Sequence, residues 1–349
     1  MMGRLLGREI FRRCSVRLTT GLFVGLACTP ALGQAAPTAE HNIMTWPLPD
    51  TISAQGKAVA TVFANTPMPK PLPPVTAQRQ MISAMQDAMG QKLQKAYGVR
   101  VEEAKMGGVP VRIVYPKGVT ALGNGPVLLN LHGGGFQVDS GSLTETIPIA
   151  ALTGLPVVAV LYRLAPESPY PAALEDALAV YQSLGKIRSS SRIAVYGTSA
   201  GAILSGELIA RLKSLRHPMP AALGFFSGSA DLSMSGDSES WMPMPTGDKT
   251  LTAALSGYVG KTSTSDPILS PLQGDVSGFP PTLLVSSTRD ALLSGTSMFG
   301  RSLLEHDVDA RMVVFDGLPH AFWAYMDIPE TQQANALMAK FLKRRVTAR

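Results

Sequence analysis

The sequence is nearly without cysteine. Cys14 and Cys28 are its two, and both stand within the first 33 residues. If that segment is removed, the rest has no disulfide, no thiol nucleophile and no cysteine metal site, so its core alone must hold it together. Charge is also scarce, at 16% of residues against 45% hydrophobic. That excludes a disordered polyelectrolyte and fits a globular body with a large core. The formal charge of +6 is concentrated at one end, where Arg4, Arg8, Arg12, Arg13 and Arg17 against Glu9 supply +4 of it. The remainder holds too little basic excess for a nucleic-acid footprint. The chain has no G-x-G-x-x-G pattern and no histidine-rich cluster. Neither a nucleotide or flavin cofactor nor a metal is therefore expected. The apolar stretch Leu18–Ala27 is shorter than the about 20 residues a membrane span needs.

What is present at the N-terminus reads as an export signal over residues 1–33. A basic stretch runs to Arg17, the apolar stretch follows, and small residues offer cleavage near Gly33–Ala36. The expectation is an exported protein, periplasmic or secreted, with no stable membrane span once the signal is gone. Lipid anchoring at Cys28 is the weaker alternative, because Gly25-Leu26-Ala27 fits a lipobox poorly. Residues 34–74 are rich in proline, with Pro67, Pro69, Pro71, Pro73 and Pro74 close together, and read as an extended arm. A cap helix is expected over residues 75–98. Met81, Met85, Met89, Leu93 and Tyr97 recur every four residues and are expected on one face. That face would pack on the body or form a lid over an acyl pocket.

Strand-like and helix-like patterns then alternate. Strands are predicted at Val99–Ala104, Val111–Tyr115, Val127–Leu131, Val157–Leu161, Arg192–Tyr196, Ala222–Phe226, Thr282–Ser286 and Arg311–Phe315. The later ones are continuous apolar runs, as central parallel strands covered on both faces require. Leu174, Ala177, Leu178 and Tyr181, and then Leu204, Leu208 and Leu212, have helical spacing. The alternation predicts an α/β fold around a mostly parallel sheet. Residues 233–264 interrupt it and read as an insertion with one helix near Leu251–Val259.

Two motifs carry chemistry. Gly197-Thr198-Ser199-Ala200-Gly201 is a G-x-S-x-G between an apolar strand and an amphipathic helix. In that setting the serine sits on a sharp turn at a helix N-terminus, its hydroxyl exposed, which makes Ser199 the candidate nucleophile. His132-Gly133-Gly134-Gly135-Phe136 follows another apolar strand. Consecutive glycines can turn backbone N–H groups onto the oxyanion of a tetrahedral intermediate. The candidate donors are two of Gly133, Gly134 and Gly135, with the N–H of Ala200. His132 is expected to be structural, holding this loop by a side-chain hydrogen bond.

These motifs, with Tyr162-Arg163-Leu164-Ala165-Pro166-Glu167, Asp266-Pro267 and Ser270-Pro271, resemble a bacterial hormone-sensitive-lipase-type (family IV) esterase of the α/β-hydrolase superfamily. Thr198 before the serine is similar to that family's G-T-S-A-G branch. The resemblance implies an α/β-hydrolase fold: a mostly parallel eight-stranded sheet with helices on both faces. A catalytic domain would span 99–349, with a helical cap from the N-terminal segment and from the insertion after the sixth strand. It also implies a structural role for Glu167.

Among five histidines, only His320 lies past the end of the final strand, where the loops of such a sheet gather. It also matches the family's histidine, so it is the expected general base. Asp290 follows the strand ending at Ser286, between serine and histidine in sequence, at the family's position. It is the expected acid. Phe136 and Trp323 are candidate substrate-pocket residues. The expected reaction is hydrolysis of small-molecule carboxylic esters of short to medium acyl length through an acyl-enzyme. The same triad would serve a lactonase or an amide or aryl-acyl deacylase, and a non-catalytic binding protein on this fold is a third reading. Assembly as a homodimer is left open.

Overall fold

A computed structural model describes residues 47–65, 72–242, 244 and 248–348, all within one compact unit. The expected export signal, both cysteines and His41 lie outside the described residues. Helices α1 (Ala54–Asn65) and α2 (Val75–Tyr97) precede the hairpin of β1 (Arg100–Met106) and β2 (Val109–Tyr115). Then come β3 (Val127–Leu131), α3 (Ile147–Thr153), β4 (Val157–Val160), α4 (Ala172–Gly185), β5 (Ile193–Thr198), α5 (Ala200–Ser214) and β6 (Ala222–Phe226). Three short helices follow: α6 (Asp237–Trp241), α7 (Leu251–Ala254) and α8 (Ser256–Val259). The chain ends with β7 (Thr282–Arg289), α9 (Leu293–Glu305), β8 (Ala310–Pro319) and α10 (Pro329–Thr347).

The eight strands form one sheet in the order β1-β2-β4-β3-β5-β6-β7-β8, antiparallel at β1/β2 and β2/β4 and parallel elsewhere. Strands β3 to β6 are buried along their whole length, as their unbroken apolar runs require. Their side chains alternate between two layers. Val127, Leu129 and Leu131 face a core shared with α4, α5 and α9. Leu128, Ala194 and Tyr196 face the other, shared with α3 and α10. Each leucine so buried contributes about 1.5–3 kcal/mol.

The strand order also sets where a site can form. The chain passes from β3 outward to β4, then returns past β3 to lay down β5. The connections leaving β3 and β5 therefore diverge, and a crevice opens at their carboxyl ends. Both motif loops start there. Strand and helix approach so closely that a Cβ at Gly197 would fall 2.2 Å from Gly201 O, and one at Gly201 only 1.8 Å from Leu131 O.

Three local expectations need correction. The 34–74 arm is not wholly extended, because α1 forms between its prolines. Ser53 caps it, its hydroxyl oxygen accepting the Gly56 N–H at 2.9 Å, and also bonds Glu330 of α10. Helix α2 forms, but its methionine face does not pack: Met81 is 63% and Met85 38% exposed, while Gln86 and Gly90 are buried. A four-residue stride drifts by about 40° per step around a helix of 3.6 residues per turn, so Met81 and Tyr97 point to different sides. The packed stripe mixes strides of three and four through Ile82, Gln86, Gly90, Leu93 and Tyr97. In the insertion, the helix expected near Leu251–Val259 is broken at Leu255 into α7 and α8, and Met242, Met244, Leu251 and Tyr258 join the core.

The close approach at Gly201 predicts that Gly201→Ala loses at least about 3 kcal/mol of stability or fails to fold. Gly206→Ala, one and a half turns on and with only a 3.5 Å contact to Phe225, should be neutral or stabilising by about 0.5–1 kcal/mol. Urea unfolding of the two variants checks this; equal losses would contradict it.

Glu207 of α5 gives a second prediction. It is fully buried, its Oε2 accepts the Tyr258 hydroxyl at 2.6 Å, and its Oε1 has no partner among the described residues. Burial pushes its pKa from 4.5 up to about 8, against the pull of the Tyr258 bond. The folded state thus keeps a proton that the unfolded chain releases. The stability this gives is complete below 4.5 and is lost as pH rises toward about 8. The unfolding temperature should fall across that window, and Glu207→Gln should make the fall shallower. Parallel profiles for the two proteins in scanning calorimetry would rule this out.

Candidate active site

Ser199 occupies the turn between β5 and α5 with φ 59° and ψ −123°, a conformation costly for a side chain that bears a Cβ. The turn is held from outside: Ser199 N–H donates to Phe226 O of the neighbouring strand at 2.9 Å. The close contacts at Gly197 and Gly201 leave no wider path for the chain. The hydroxyl therefore stands at the N-terminal end of α5, where the helix dipole favours negative charge.

The structure brings Ser199, His320 and Asp290 together. Ser199 Oγ lies 2.9 Å from His320 Nε2, and His320 Nδ1 lies 2.7 Å from Asp290 Oδ1. His320 follows β8 and Asp290 follows β7, so two adjacent strand ends deliver them. Asp290 is wholly buried, yet it is surrounded by donors. Leu292 N–H reaches Oδ1 at 2.8 Å, Ser286 reaches Oδ2 at 2.8 Å, and Ser227 donates a short bond to Oδ2. Burial alone would push this carboxyl up; the charge and bond of His320, with Ser227 and the Leu292 N–H, outweigh it and hold it below the ordinary value. Asp290 is thus an anion aimed at the imidazole, which fixes Nδ1 as the protonated nitrogen and leaves Nε2 free to accept the serine proton. Tyr325 steadies the loop by donating to His320 O.

The glycine loop starts at the end of β3. His132 is buried, donates from Nδ1 to Gly133 O at 2.8 Å and stacks on Tyr162 at 4.2 Å. It holds the loop and does not reach Ser199. Gly134 has φ 120°, and a Cβ there would fall 2.0 Å from Val138 O, so only glycine closes this turn. Gly133 departs from expectation, because its N–H donates to Glu145 Oε1 at 3.0 Å and is not free for a ligand. The N–H groups of Gly134, Gly135 and Ala200 donate to no described residue.

Phe136 and Trp323 are corrected as pocket residues. Phe136 has no exposed surface and stacks on Tyr258 with ring centres 3.4 Å apart. Trp323 is buried between Phe226 and Phe322, and its Nε1 donates to Thr198 Oγ1 at 3.2 Å. Both aromatics brace the loops from behind. Glu167 pairs with Arg79 of α2 at 2.7 Å, which lowers its pKa to about 2. Arg79 also donates to Gln137 O and Ala165 O at 2.8 Å each, so this pair ties the glycine loop to the Tyr162–Glu167 segment. His217 and His306 bond Gln182 and Ser302 O.

The sequence reading missed the polar residues behind the site: Ser227, Ser286, Tyr325 and Glu145. Serines at strand ends carry no signal of their own. Glu145 had one, as the lone carboxylate just before the apolar run Ile147–Leu152 and ten residues after the glycines.

The chain has relatives among known proteins. The family model described as α/β hydrolase fold matches residues 128–324. An acetyl-hydrolase of Streptomyces hygroscopicus is 31% identical over 234 residues, covering 63% of this chain and 76% of that protein. The carboxylesterase NlhH of Mycobacterium tuberculosis is 28% identical over 271 residues, or 72% of this chain and 84% of that one. A crystal structure of an esterase from the bacterial hormone-sensitive lipase family superposes with TM-score 0.73 at 27% identity, covering 84% of this chain and 99% of that chain. A family match over more than half the sequence, on a sheet of this order, decides the question: the chain belongs to the α/β-hydrolases, among the hormone-sensitive-lipase-type esterases.

Proposed function

We propose that the chain cleaves carboxylic esters of short to medium acyl length by two-step acyl transfer, with Ser199 as nucleophile, His320 as general base and Asp290 as its orienting acid. The observation that carries this reading is the unbroken relay of 2.9 Å and 2.7 Å from Ser199 Oγ through His320 to Asp290. In the first step the Ser199 proton passes to His320 Nε2 while Oγ bonds the ester carbonyl carbon. The carbonyl oxygen becomes an oxyanion, received by the N–H groups of Gly134, Gly135 and Ala200. Collapse breaks the bond to the alkoxide, which takes the proton from Nε2 and leaves as the alcohol. Water then repeats the sequence on the acyl-enzyme and releases the acid. Similarity to a carboxylesterase supports carboxylic esters as substrates, and similarity to an acetyl-hydrolase supports a small acyl group.

Ser199→Ala and His320→Ala should each lower kcat by at least about 10⁴-fold while the far-ultraviolet dichroism is unchanged. His217→Ala and His306→Ala should keep most of the activity. The assay is hydrolysis of p-nitrophenyl esters of graded acyl length, with lactones and anilides alongside. Acetyl and butyryl esters should outpace lauryl ones; substantial turnover by Ser199→Ala, or a dead His306→Ala, would sink the assignment.

A further inference from the structure

Three segments that the reaction needs meet on one residue that belongs to none of them. Glu145 lies in the turn before α3, buried to 5% exposure. Its Oε1 accepts the Gly133 N–H at 3.0 Å, and its Oε2 accepts the Asn130 amide at 3.3 Å. The Thr198 hydroxyl faces the same carboxyl, and Thr198 Oγ1 also accepts the Trp323 indole N–H at 3.2 Å. Gly133 begins the glycine loop, Thr198 precedes Ser199, and Trp323 stands three residues beyond His320. The backbone holds Glu145 in place: its N–H donates to Gly141 O at 2.8 Å, and its carbonyl accepts the Tyr196 hydroxyl at 3.2 Å. The seat is tight, since a Cβ at Gly141 would fall 1.8 Å from Oε1.

We propose that Glu145 is a positioning residue for oxyanion stabilisation: its carboxyl claims the Gly133 N–H, sets the peptide that starts the glycine loop against the Ser199 turn, and so leaves the Gly134 and Gly135 N–H groups for the oxyanion. Glu145 itself makes no hydrogen bond to Ser199 or His320. Its effect falls on kcat, because an oxyanion exists only after attack. This rests on the assignment of the glycine donors made above.

The charge of Glu145 adds a second signature. Burial pushes its pKa from 4.5 up to about 8, against the Gly133 and Asn130 bonds. The charged and titratable groups around it are Asp139, His132, Tyr162, Tyr196 and, through Asp139, Arg112. Asp139 is held below its ordinary value despite burial, chiefly by His132 and Ser142, and so stays an anion that opposes a second charge at Glu145. Below about pH 8 Glu145 is neutral; above it, a buried anion stands behind the loop that must receive developing negative charge, which raises the barrier.

The test is full kinetics of the wild type, Glu145→Ala and Glu145→Gln on p-nitrophenyl acetate over a pH series, with Ser199 counted by a fluorophosphonate. Glu145→Ala should lose about 10–100-fold in kcat, a fraction of what direct oxyanion donors supply, with KM within about threefold. Glu145→Gln keeps an acceptor for Gly133 and is neutral at every pH. It should recover most of kcat and lack the alkaline fall that the wild type shows around pH 8. A folded Glu145→Ala with wild-type kcat would overturn the proposal, as would the same alkaline midpoint in Glu145→Gln; if the alanine variant does not fold, the glutamine pH profile decides alone. Wild type unlabelled at Ser199 would instead refute the functional reading itself.

Discussion

The structure depends on one steric constraint, the approach of α5 to the ends of β3 and β5. Gly201 sits where a single methyl group would overlap Leu131 O, and Gly197 where one would overlap Gly201 O. With helix and strands this close, the three residues between these glycines must reverse the chain in almost no space, and the positive φ of Ser199 follows. The cost of that conformation, about 1–3 kcal/mol, is offset by the packing of a helix buried along most of its length. The same approach places the helix terminus, the β3 loop and the serine within one crevice. The sheet order supplies the crevice, and the glycines let the backbone reach into it.

Burial does not by itself decide the charge of a carboxyl here. Asp290, Glu145 and Glu207 are all buried, yet Asp290 is driven down and the other two up to about 8. The difference lies in the surroundings. Asp290 faces the only partner of the three that can become a cation at short range, and takes further bonds from Ser227, Ser286 and the Leu292 N–H. Glu207 has one hydroxyl, and Glu145 has neutral donors with the anionic Asp139 nearby. Desolvation wins where compensation is neutral and loses where an ionisable imidazole joins the donors. An acid proposed to orient a base must stay ionised, and the donors around Asp290 keep it so.

The central strands β3 to β6 were legible because a strand covered on both faces must be apolar without interruption; the partly exposed edge strands β1 and β8 were legible from their place in the alternation of elements. The relay residues were legible from chain order and from strand ends. What failed was anything decided by direction. A stride of four residues looked like one face of α2, yet the drift of the helix carried Met81 and Met85 into solvent and brought Gln86 to the body. Phe136 and Trp323 stand beside the motifs in sequence, but their rings turn into the core. Gly133 has the same composition as its two neighbours; only the position of Glu145 reveals that its N–H is taken. Helix α1 was hidden by composition averaged over a segment whose prolines lie on either side of it.

Helix α2 shows why the motifs alone do not make the site. It ends at Tyr97, before the matched region begins at residue 128. Arg79 nevertheless donates to Gln137 O and Ala165 O, and Gln86 donates to Ser140 O at 2.6 Å. The Gln86 oxygen also accepts the N–H groups of Leu143 and Thr144 at 3.3 and 3.4 Å. These are backbone groups of the glycine loop and of its neighbour, and buried backbone groups left unpaired cost free energy. A loop rich in glycine has many conformations and, beyond His132, few side chains of its own to select one. The selection is completed by side chains that arrive from elsewhere: Glu145 from the turn before α3, and Arg79 and Gln86 from α2. The N-terminal helix therefore belongs to the geometry of the glycine loop as much as the glycines do, although nothing in its own sequence carries a catalytic motif.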